Sequence, residues 1–328
     1  MMHIYFVSLG CDKNLVDSEK MLALLTKEGY ELTDEPEQAE IIVVNTCAFI
    51  HDAKQESIET LLELAEYKKT GKCKVLIASG CLAERYQDTI LEEMPEIDGV
   101  IGTTAYDDIA VVVKKALGGE HAALTKELDY LPVHLTDRVT SGMSHVGYLK
   151  ISEGCNKNCT YCIIPSMRGH YRSVPMEDLI EEAEKLAEKG IRELILVAQE
   201  TTLYGVDLYH EKKLPELLRR LSEIRDISWI RVLYCYPEEI TVELAQELRE
   251  NPKVCHYLDL PIQHASDRIL KRMGRRTTQA ELVEIVNKLR REIPDIVLRT
   301  TLISGFPGET QEDHEELMSF VDEMEFDR

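Results

Sequence analysis

Residues 153–162 read EGCNKNCTYC and place Cys155, Cys159 and Cys162 in a C-x3-C-x2-C spacing. The three thiols directly follow an apolar run that is predicted to be a strand, so we expect them on a loop at its carboxyl end. Iron–sulfur clusters normally take four cysteine ligands, and three would leave one iron open to an external ligand. A zinc site would use paired C-x2-C knuckles, and no second knuckle accompanies this one. The spacing therefore favours a four-iron cluster with an open position over structural zinc.

The sequence around this loop alternates between strand and helix patterns. Strands are predicted at 146–151, 193–197, 229–234, 257–260 and 297–303, and helices at 176–189, 214–224, 242–250, 278–292 and 311–324. Five strand–helix units in series are typical of a parallel (β/α) barrel or partial barrel, with its chemistry at the carboxyl ends of the strands. Because the chain ends where another strand should begin, we expect a barrel that is truncated at its C-terminal end.

The first third of the chain shows the same alternation with shorter, more continuous apolar runs. Strands are predicted at 3–8, 41–45, 74–79 and 99–102, and helices at 14–28, 54–67 and 84–94. Continuous apolar runs are typical of strands that are buried on both faces, which predicts an α/β domain with a doubly wound parallel sheet. We therefore expect an α/β domain over 1–123, a linker over 124–144 where the periodicity fades, and the partial barrel over 145–328.

Three further cysteines follow strands of the first domain. Cys11, Cys47 and Cys81 each close an apolar run and are spaced by about one strand–helix unit. Since successive parallel strands point their carboxyl ends to one edge of the sheet, we expect these thiols to converge there as a second three-cysteine metal site. Gly10 and Gly80 precede two of them and would let backbone groups approach a cluster. The alternative is three independent buried thiols, which are common in protein cores.

Other cysteines and basic residues have less specific patterns. Cys73, Cys235 and Cys255 have no companions at ligand spacing and are interpreted as structural thiols. The basic runs that contain Arg168 and Arg275 lie near predicted loops and are interpreted as ordinary surface charges. The alternative for both runs is contact with a substrate or a cofactor.

Four residues at the ends of the barrel strands are candidates for binding a small cofactor. Tyr161 could place its ring against a ligand of the compact cysteine group. Gln199 and Glu200 follow the second barrel strand, and Gly305 follows the fifth. These side chains could fix an amino or hydroxyl group, and the glycine permits close approach of the backbone. The alternative is that they only form strand-to-helix turns, which use such residues anyway.

Composition and charge limit which partners and which cellular location the sequence favours. The chain has 328 residues with 38 Lys and Arg against 60 Asp and Glu, a net charge of −22. That average field disfavours direct binding to a nucleic-acid backbone and suits a basic protein partner. The alternative is a charge that serves solubility and implies no partner. The N-terminus lacks the features of a signal peptide, and no apolar run approaches the roughly 20 residues of a membrane span. Nine cysteines, an odd number, favour metal or redox use in a cytoplasmic protein.

The C-x3-C-x2-C motif after the first barrel strand resembles the signature of the radical S-adenosylmethionine (radical SAM) superfamily. Together with the three-cysteine α/β domain, it makes the whole chain similar to the methylthiotransferases. The resemblance implies two 4Fe-4S clusters, held by Cys155, Cys159 and Cys162 and by Cys11, Cys47 and Cys81. It implies that SAM binds the open iron of the first cluster, and serves both as methyl donor and as source of the 5′-deoxyadenosyl radical. The second cluster then carries or receives the inserted sulfur.

Two branches of that family compete, and a short motif separates them. Residues 8–14, SLGCDKN, and residues 151–172 resemble the ribosomal-protein branch (RimO-like). That branch implies methylthiolation of an aspartate β-carbon in small-subunit ribosomal protein twelve, with an electron donor such as a flavodoxin-type reductant and no membrane. The alternatives are a tRNA adenosine methylthiotransferase (MiaB-like) and a non-catalytic iron–sulfur protein. Family members usually continue into a C-terminal β-barrel, TRAM, which we expect this chain to lack; nucleic-acid binding is then not expected.

Overall fold

This computed structural model describes residues 2–132 and 137–328. The strands of both its large sheets are parallel. The chain divides into two units. Unit 1 comprises Met1–Ser141 and Ile163–His170, and unit 2 comprises Gly142–Cys162 and Tyr171–Arg328. Part of the predicted linker, residues 133–136, lies outside the described residues.

Unit 1 contains a sheet of six strands among its described residues, in the order β2-β1-β3-β4-β5-β6. The strands are β1 (His3–Ser8), β2 (Glu31–Leu32), β3 (Ile41–Thr46), β4 (Val75–Gly80), β5 (Gly99–Ile101) and β6 (Ala122–Leu124). The helices are α1 (Asp12–Lys27), α2 (His51–Ala65), α3 (Tyr67–Thr70), α4 (Cys81–Glu93), α5 (Ile109–Leu117) and α6 (Ile164–Arg168). The order of the strands reverses at β1, whose two neighbours are β2 and β3.

Both faces of this sheet are buried, as the continuous apolar runs predict. Ile42 and Val44 of β3 pack into one hydrophobic core, while Ile41 and Val43 pack into another. Alternate residues of one strand thus supply two cores, because successive side chains of a strand point to opposite faces. The predicted doubly wound parallel sheet is confirmed.

Unit 2 contains a second parallel sheet, in the order β13-β12-β11-β10-β7, and a short antiparallel pair, β8 with β9. The strands are β7 (Val146–Lys150), β8 (Ser152–Glu153), β9 (Arg172–Ser173), β10 (Glu193–Val197), β11 (Trp229–Val232), β12 (Val254–Asp259) and β13 (Val297–Arg299). The helices are α7 (Met176–Glu188), α8 (Val206–Tyr209), α9 (Leu214–Ser222), α10 (Val242–Glu250), α11 (Asp267–Arg272), α12 (Gln279–Glu292) and α13 (Gln311–Met324). The expected partial (β/α) barrel is confirmed, with its five predicted strands side by side.

Local chemistry sets the helix boundaries of unit 2. Thr278 and Thr310 start α12 and α13, since each hydroxyl accepts a hydrogen bond from the backbone three residues on. On α7, Leu179, Ala183 and Leu186 recur at helical spacing and pack into the core of the unit. Glu181 and Glu184 lie on the exposed face of the helix, whereas Glu182 is buried. Among the described residues, no helix combines the length and the apolar character that crossing a bilayer requires.

Candidate metal centres and cofactor site

The structure brings the dispersed cysteines together at one edge of the unit 1 sheet. Cys11 directly precedes α1, Cys47 follows β3, and Cys81 is the first residue of α4. Their strands β1, β3 and β4 are direct neighbours, so all three thiols lie at adjacent carboxyl ends. Negative charge on the thiols of Cys11 and Cys47 would raise the pKa of the Cys81 thiol, so the three lie near one another. This is the β1/β3 reversal of strand order, where open α/β sheets bind their ligands.

Two glycines make room for this convergence. Gly10 and Gly80 both have a φ of 87°, which disfavours any residue with a side chain. A Cβ at Gly10 would lie 2.8 Å from the Cβ of Cys47, and one at Gly80 would lie 2.1 Å from Oδ1 of Asn45. At both positions the backbone passes so close to its neighbours that no side chain fits. The space next to the cysteine thiols therefore stays free of other side chains from these positions.

A buried amide and a buried hydroxyl hold the cysteine loops of unit 1 in place. Nδ2 of Asn14 donates hydrogen bonds to the carbonyls of Leu9 and Thr46, both at 3.0 Å. Those carbonyls lie just before Cys11 and Cys47. The backbone N–H of Cys47 also donates to the Ser57 hydroxyl at 2.9 Å. These bonds fix the backbone around the first two thiols before any metal binds.

Burial makes the thiols of Cys47 and Cys81 poor acids in the absence of metal. It raises the pKa of Cys47, and it raises the pKa of Cys81 to about 11. A metal ligand must be a thiolate, so cluster binding has to displace these protons. Within residues 2–132 and 137–328, no three Cys, His, Asp or Glu side chains group closely enough to hold a single metal ion.

The compact cysteine group of unit 2 lies on a loop after β8. Cys155 and Cys159 are buried and Cys162 is half-buried. The N–H of Cys162 donates to the Cys159 carbonyl at 3.0 Å, and the N–H of Lys157 points at Sγ of Cys155 at 3.4 Å. Thr160 donates two hydrogen bonds to the end of α11, to the carbonyls of Arg272 and Met273. The loop is thus folded back on itself and fastened to a helix.

An aromatic side chain that sequence reasoning missed lies against this group. The Tyr236 hydroxyl is 3.2 Å from Sγ of Cys159. Its ring is contacted by two cations, the Arg275 guanidinium at 4.2 Å and the Lys157 ammonium at 4.7 Å from the ring centre. A hydroxyl this close can donate a hydrogen bond to a ligand sulfur, and the cations offset the negative charge of thiolates. The sequence feature that could have identified Tyr236 is its position just after β11, at the carboxyl end of a strand.

Arg275 corrects one interpretation of the sequence. It was expected to be a surface charge, but it is 7% exposed, and its Nε and Nη1 have no hydrogen-bond partner among the described residues. Arg168, assigned to the surface for the same reason, is 2% exposed. Both surface assignments were wrong, because a guanidinium that stacks on a ring or pairs with a carboxylate can be buried. Sequence patterns do not reveal such partners.

The predicted cofactor residues of unit 2 occupy different environments. Nε2 of Gln199 donates to Glu153 at 2.8 Å, and Glu153 in turn accepts a hydrogen bond from Lys150 at 2.7 Å. Oε1 of Gln199 and Oε2 of Glu200 are buried without a partner among the described residues. Tyr161 is half-buried, and Gly305 lies exposed between β13 and α13. Two unpaired acceptors at the end of β10 suit a donor such as an ammonium or hydroxyl group.

Glu200 is also unusual in its acidity. Burial raises its pKa to about 7, against the lowering effect of hydrogen bonds from Thr202. Because the folded-state pKa lies above the unfolded value, the protonated form favours folding. That contribution is complete below the unfolded pKa and is lost as the pH rises through about 7.

Replacing Glu200 by Gln should remove this pH dependence. The stability of the metal-free wild type relative to Glu200→Gln should fall by about 3 kcal/mol between pH 4 and pH 8, from the pKa difference. Urea unfolding at several pH values measures it, with the exposed Glu284→Gln on α12 as the matched control. A wild type and a Glu200→Gln variant with parallel pH profiles would contradict the buried-carboxylate assignment.

Comparison with known proteins identifies the family. Residues 149–321 match the radical SAM superfamily, and residues 3–102 match "Uncharacterized protein family UPF0004". The ribosomal protein uS12 methylthiotransferase RimO of Lachnoclostridium phytofermentans is 62% identical over 327 residues, which are 100% of this chain and 74% of the relative. The chain belongs to the RimO family of radical SAM enzymes. RimO of Clostridioides difficile is 49% identical, again over 100% of this chain and 74% of the relative.

Solved structures agree with the fold. The radical SAM methyltransferase TsrM from Kitasatospora setae has a TM-score of 0.69 at 16% identity, covering 99% of this chain and 72% of that one. The cobalamin-dependent SAM radical enzyme OxsB has a TM-score of 0.66 at 13% identity, covering 98% and 52%. At such identities the likeness concerns the fold alone. The predicted family and its ribosomal-protein branch are confirmed by the RimO relatives.

Proposed function

We propose that this chain methylthiolates ribosomal protein uS12, replacing a hydrogen on the β-carbon of an aspartate by a methylthio group. The observation that carries this is the 62% identity, across the whole chain, to a relative named uS12 methylthiotransferase. The SLGCDKN motif around Cys11 supports the same branch. When bound, the iron–sulfur cluster and SAM would supply a carbon-centred radical that can abstract hydrogen from an unactivated carbon.

Two four-iron clusters are part of this proposal. Cys155, Cys159 and Cys162 would hold the SAM-binding cluster within residues 145–328. Cys11, Cys47 and Cys81 would hold the second cluster within residues 1–123. Support comes from the convergence of three thiols at each place, from the glycines that keep space around the unit 1 thiols, and from Tyr236 beside Cys159. Three protein ligands per cluster leave one iron of each open.

Around the unit 2 cysteines, the chain would bind SAM through its own polar groups. Oε1 of Gln199 and Oε2 of Glu200 are unpaired acceptors, and a SAM ammonium or ribose hydroxyl would satisfy them. Tyr161 would pack against the cofactor, and the exposed Gly305 would let backbone approach it. The Gln199–Glu153–Lys150 chain of hydrogen bonds would hold the first acceptor in position.

The charge of the protein suits this substrate. A net charge of −22 would attract a basic ribosomal protein and repel an RNA backbone. The reaction would take place in the cytoplasm, where ribosomal proteins are found, with electrons from a flavodoxin-type reductant. The tRNA adenosine reaction is the competing outcome of the test below.

Purified chain with reconstituted iron and sulfide, SAM and dithionite as reductant should modify uS12 in vitro. We expect mass spectrometry to show one hydrogen replaced by a methylthio group on an aspartate of uS12, and none on tRNA treated in parallel. The control is uS12 in which that aspartate is replaced by alanine. Methylthio transfer to tRNA but not to uS12 would overturn the proposed substrate.

A further inference from the structure

Residues Ile163–His170 directly follow Cys162 in sequence, yet they pack within unit 1. Met167 is fully buried in the core shared with β3 and β4, and its carbonyl accepts a hydrogen bond from the Thr103 hydroxyl at 2.8 Å. The N–H of His170 donates to Asp129 at 2.9 Å. The backbone is therefore anchored on both sides of Arg168, which lies between these contacts.

The anchored residue points its charge at the thiols of unit 1. Arg168 is 2% exposed, and its Nη1 donates to Oδ2 of Asp17 at 2.9 Å. Its Nη2 donates to Oδ1 of Asn14 and lies 3.6 Å from Sγ of Cys81. Asn14 is the same amide that holds the loops before Cys11 and Cys47. One guanidinium thus joins a carboxylate, the amide of the cysteine loops and a predicted ligand sulfur.

We propose that Arg168 is a positioning residue for the second cluster, donating a hydrogen bond to Sγ of Cys81 and raising the reduction potential of that cluster. This role rests on the proposed two-cluster function. Adding an electron to a cluster adds negative charge, and a buried cation bonded to a ligand sulfur stabilises that charge. Hydrogen bonds to the sulfurs and local charge are the terms by which a protein sets such potentials.

A purely structural role would rest on the ion pair with Asp17 and on the hydrogen bond to Asn14, without any effect on the cluster. Removing one partner of a buried pair is destabilising, while neutralising both avoids an unpaired charge. A structural role predicts altered stability with an unchanged potential. The proposed role predicts shifts of opposite sign, negative when Arg168 is lost and positive when Asp17 is neutralised.

The test measures the second cluster by itself. The full chain carrying Cys155→Ala, Cys159→Ala and Cys162→Ala is reconstituted anaerobically and titrated with dithionite while the reduced cluster is followed by EPR. Adding Arg168→Met should reduce the ratio of reduced to oxidised cluster at a fixed potential by about tenfold, which is 59 mV for one electron. Asp17→Asn should shift the midpoint upward. Arg85→Met, an exposed arginine on α4, removes the same charge and should leave it unchanged.

Each outcome decides between the roles. If Arg168→Met does not fold, the double variant Asp17→Asn with Arg168→Met should titrate at a lower potential than Asp17→Asn alone. A cluster that forms with an unshifted potential in the Arg168 variants would overturn the role of Arg168 and leave the two-cluster function standing. Absence of any cluster while Arg168 is intact would overturn the two-cluster function itself, and this role with it.

Discussion

Replacing Cys155, Cys159 and Cys162 together by alanine should reduce SAM cleavage to the level of a reaction without protein. The expected cause is the loss of all three thiolates that would hold the SAM-binding cluster, so that no electron reaches the sulfonium. The measurement is 5′-deoxyadenosine formed from SAM under dithionite, with the iron content of each preparation determined alongside.

The chain contains a matched control for this variant. Cys73, Cys235 and Cys255 are also free thiols, and replacing all three by alanine removes the same number of sulfurs. Cys235 is fully buried, so the control should lose some stability but keep SAM cleavage. Continued cleavage by the Cys155, Cys159 and Cys162 variant would show that the radical chemistry does not depend on this loop.

Replacing Cys11, Cys47 and Cys81 by alanine should have the opposite selectivity. SAM cleavage should persist, because the unit 2 cysteines remain, while methylthiolation of uS12 should fall to background. The physical reason is that these thiols converge at a different sheet and would hold the centre that handles sulfur. The two products, 5′-deoxyadenosine and methylthiolated uS12, are measured in the same reaction.

Cys73→Ala is the matched control in the same unit. Cys73 is buried, its thiol lies 3.5 Å from the Val75 carbonyl, and it precedes β4 whereas Cys81 follows that strand. Its replacement should spare both products. Loss of SAM cleavage in the Cys11, Cys47 and Cys81 variant would contradict the division of labour between the two cysteine groups.

The architecture was predictable because it depends on local patterns. Continuous apolar runs such as β3 and β4 predict strands buried on both faces, and cysteines directly after such strands must meet at one edge of a parallel sheet. The strands that sequence reasoning missed, including β2, β6, β8 and β9, have two or three residues each and carry too little periodicity. The strand predicted at 297–303 was also too long, since β13 ends at Arg299.

The surroundings of the cysteines were not predictable in the same way. Arg168 and Asp17 are 151 positions apart in sequence, and Tyr236 is 77 positions from Cys159. Such contacts depend on tertiary packing, and a charged residue in a loop resembles a surface residue until its partner is known. The segment Ile163–His170 shows this most clearly, because it follows the unit 2 cysteine loop in sequence but packs in unit 1.

Iron counting in four proteins tests the central claim most directly. Anaerobically reconstituted wild type should bind about eight iron atoms per chain, and each of the two triple-cysteine variants about four, from four irons per site. The Cys73, Cys235 and Cys255 variant should match the wild type. About four irons in the wild type with none lost in the Cys11, Cys47 and Cys81 variant, or zinc in place of iron, would contradict the account.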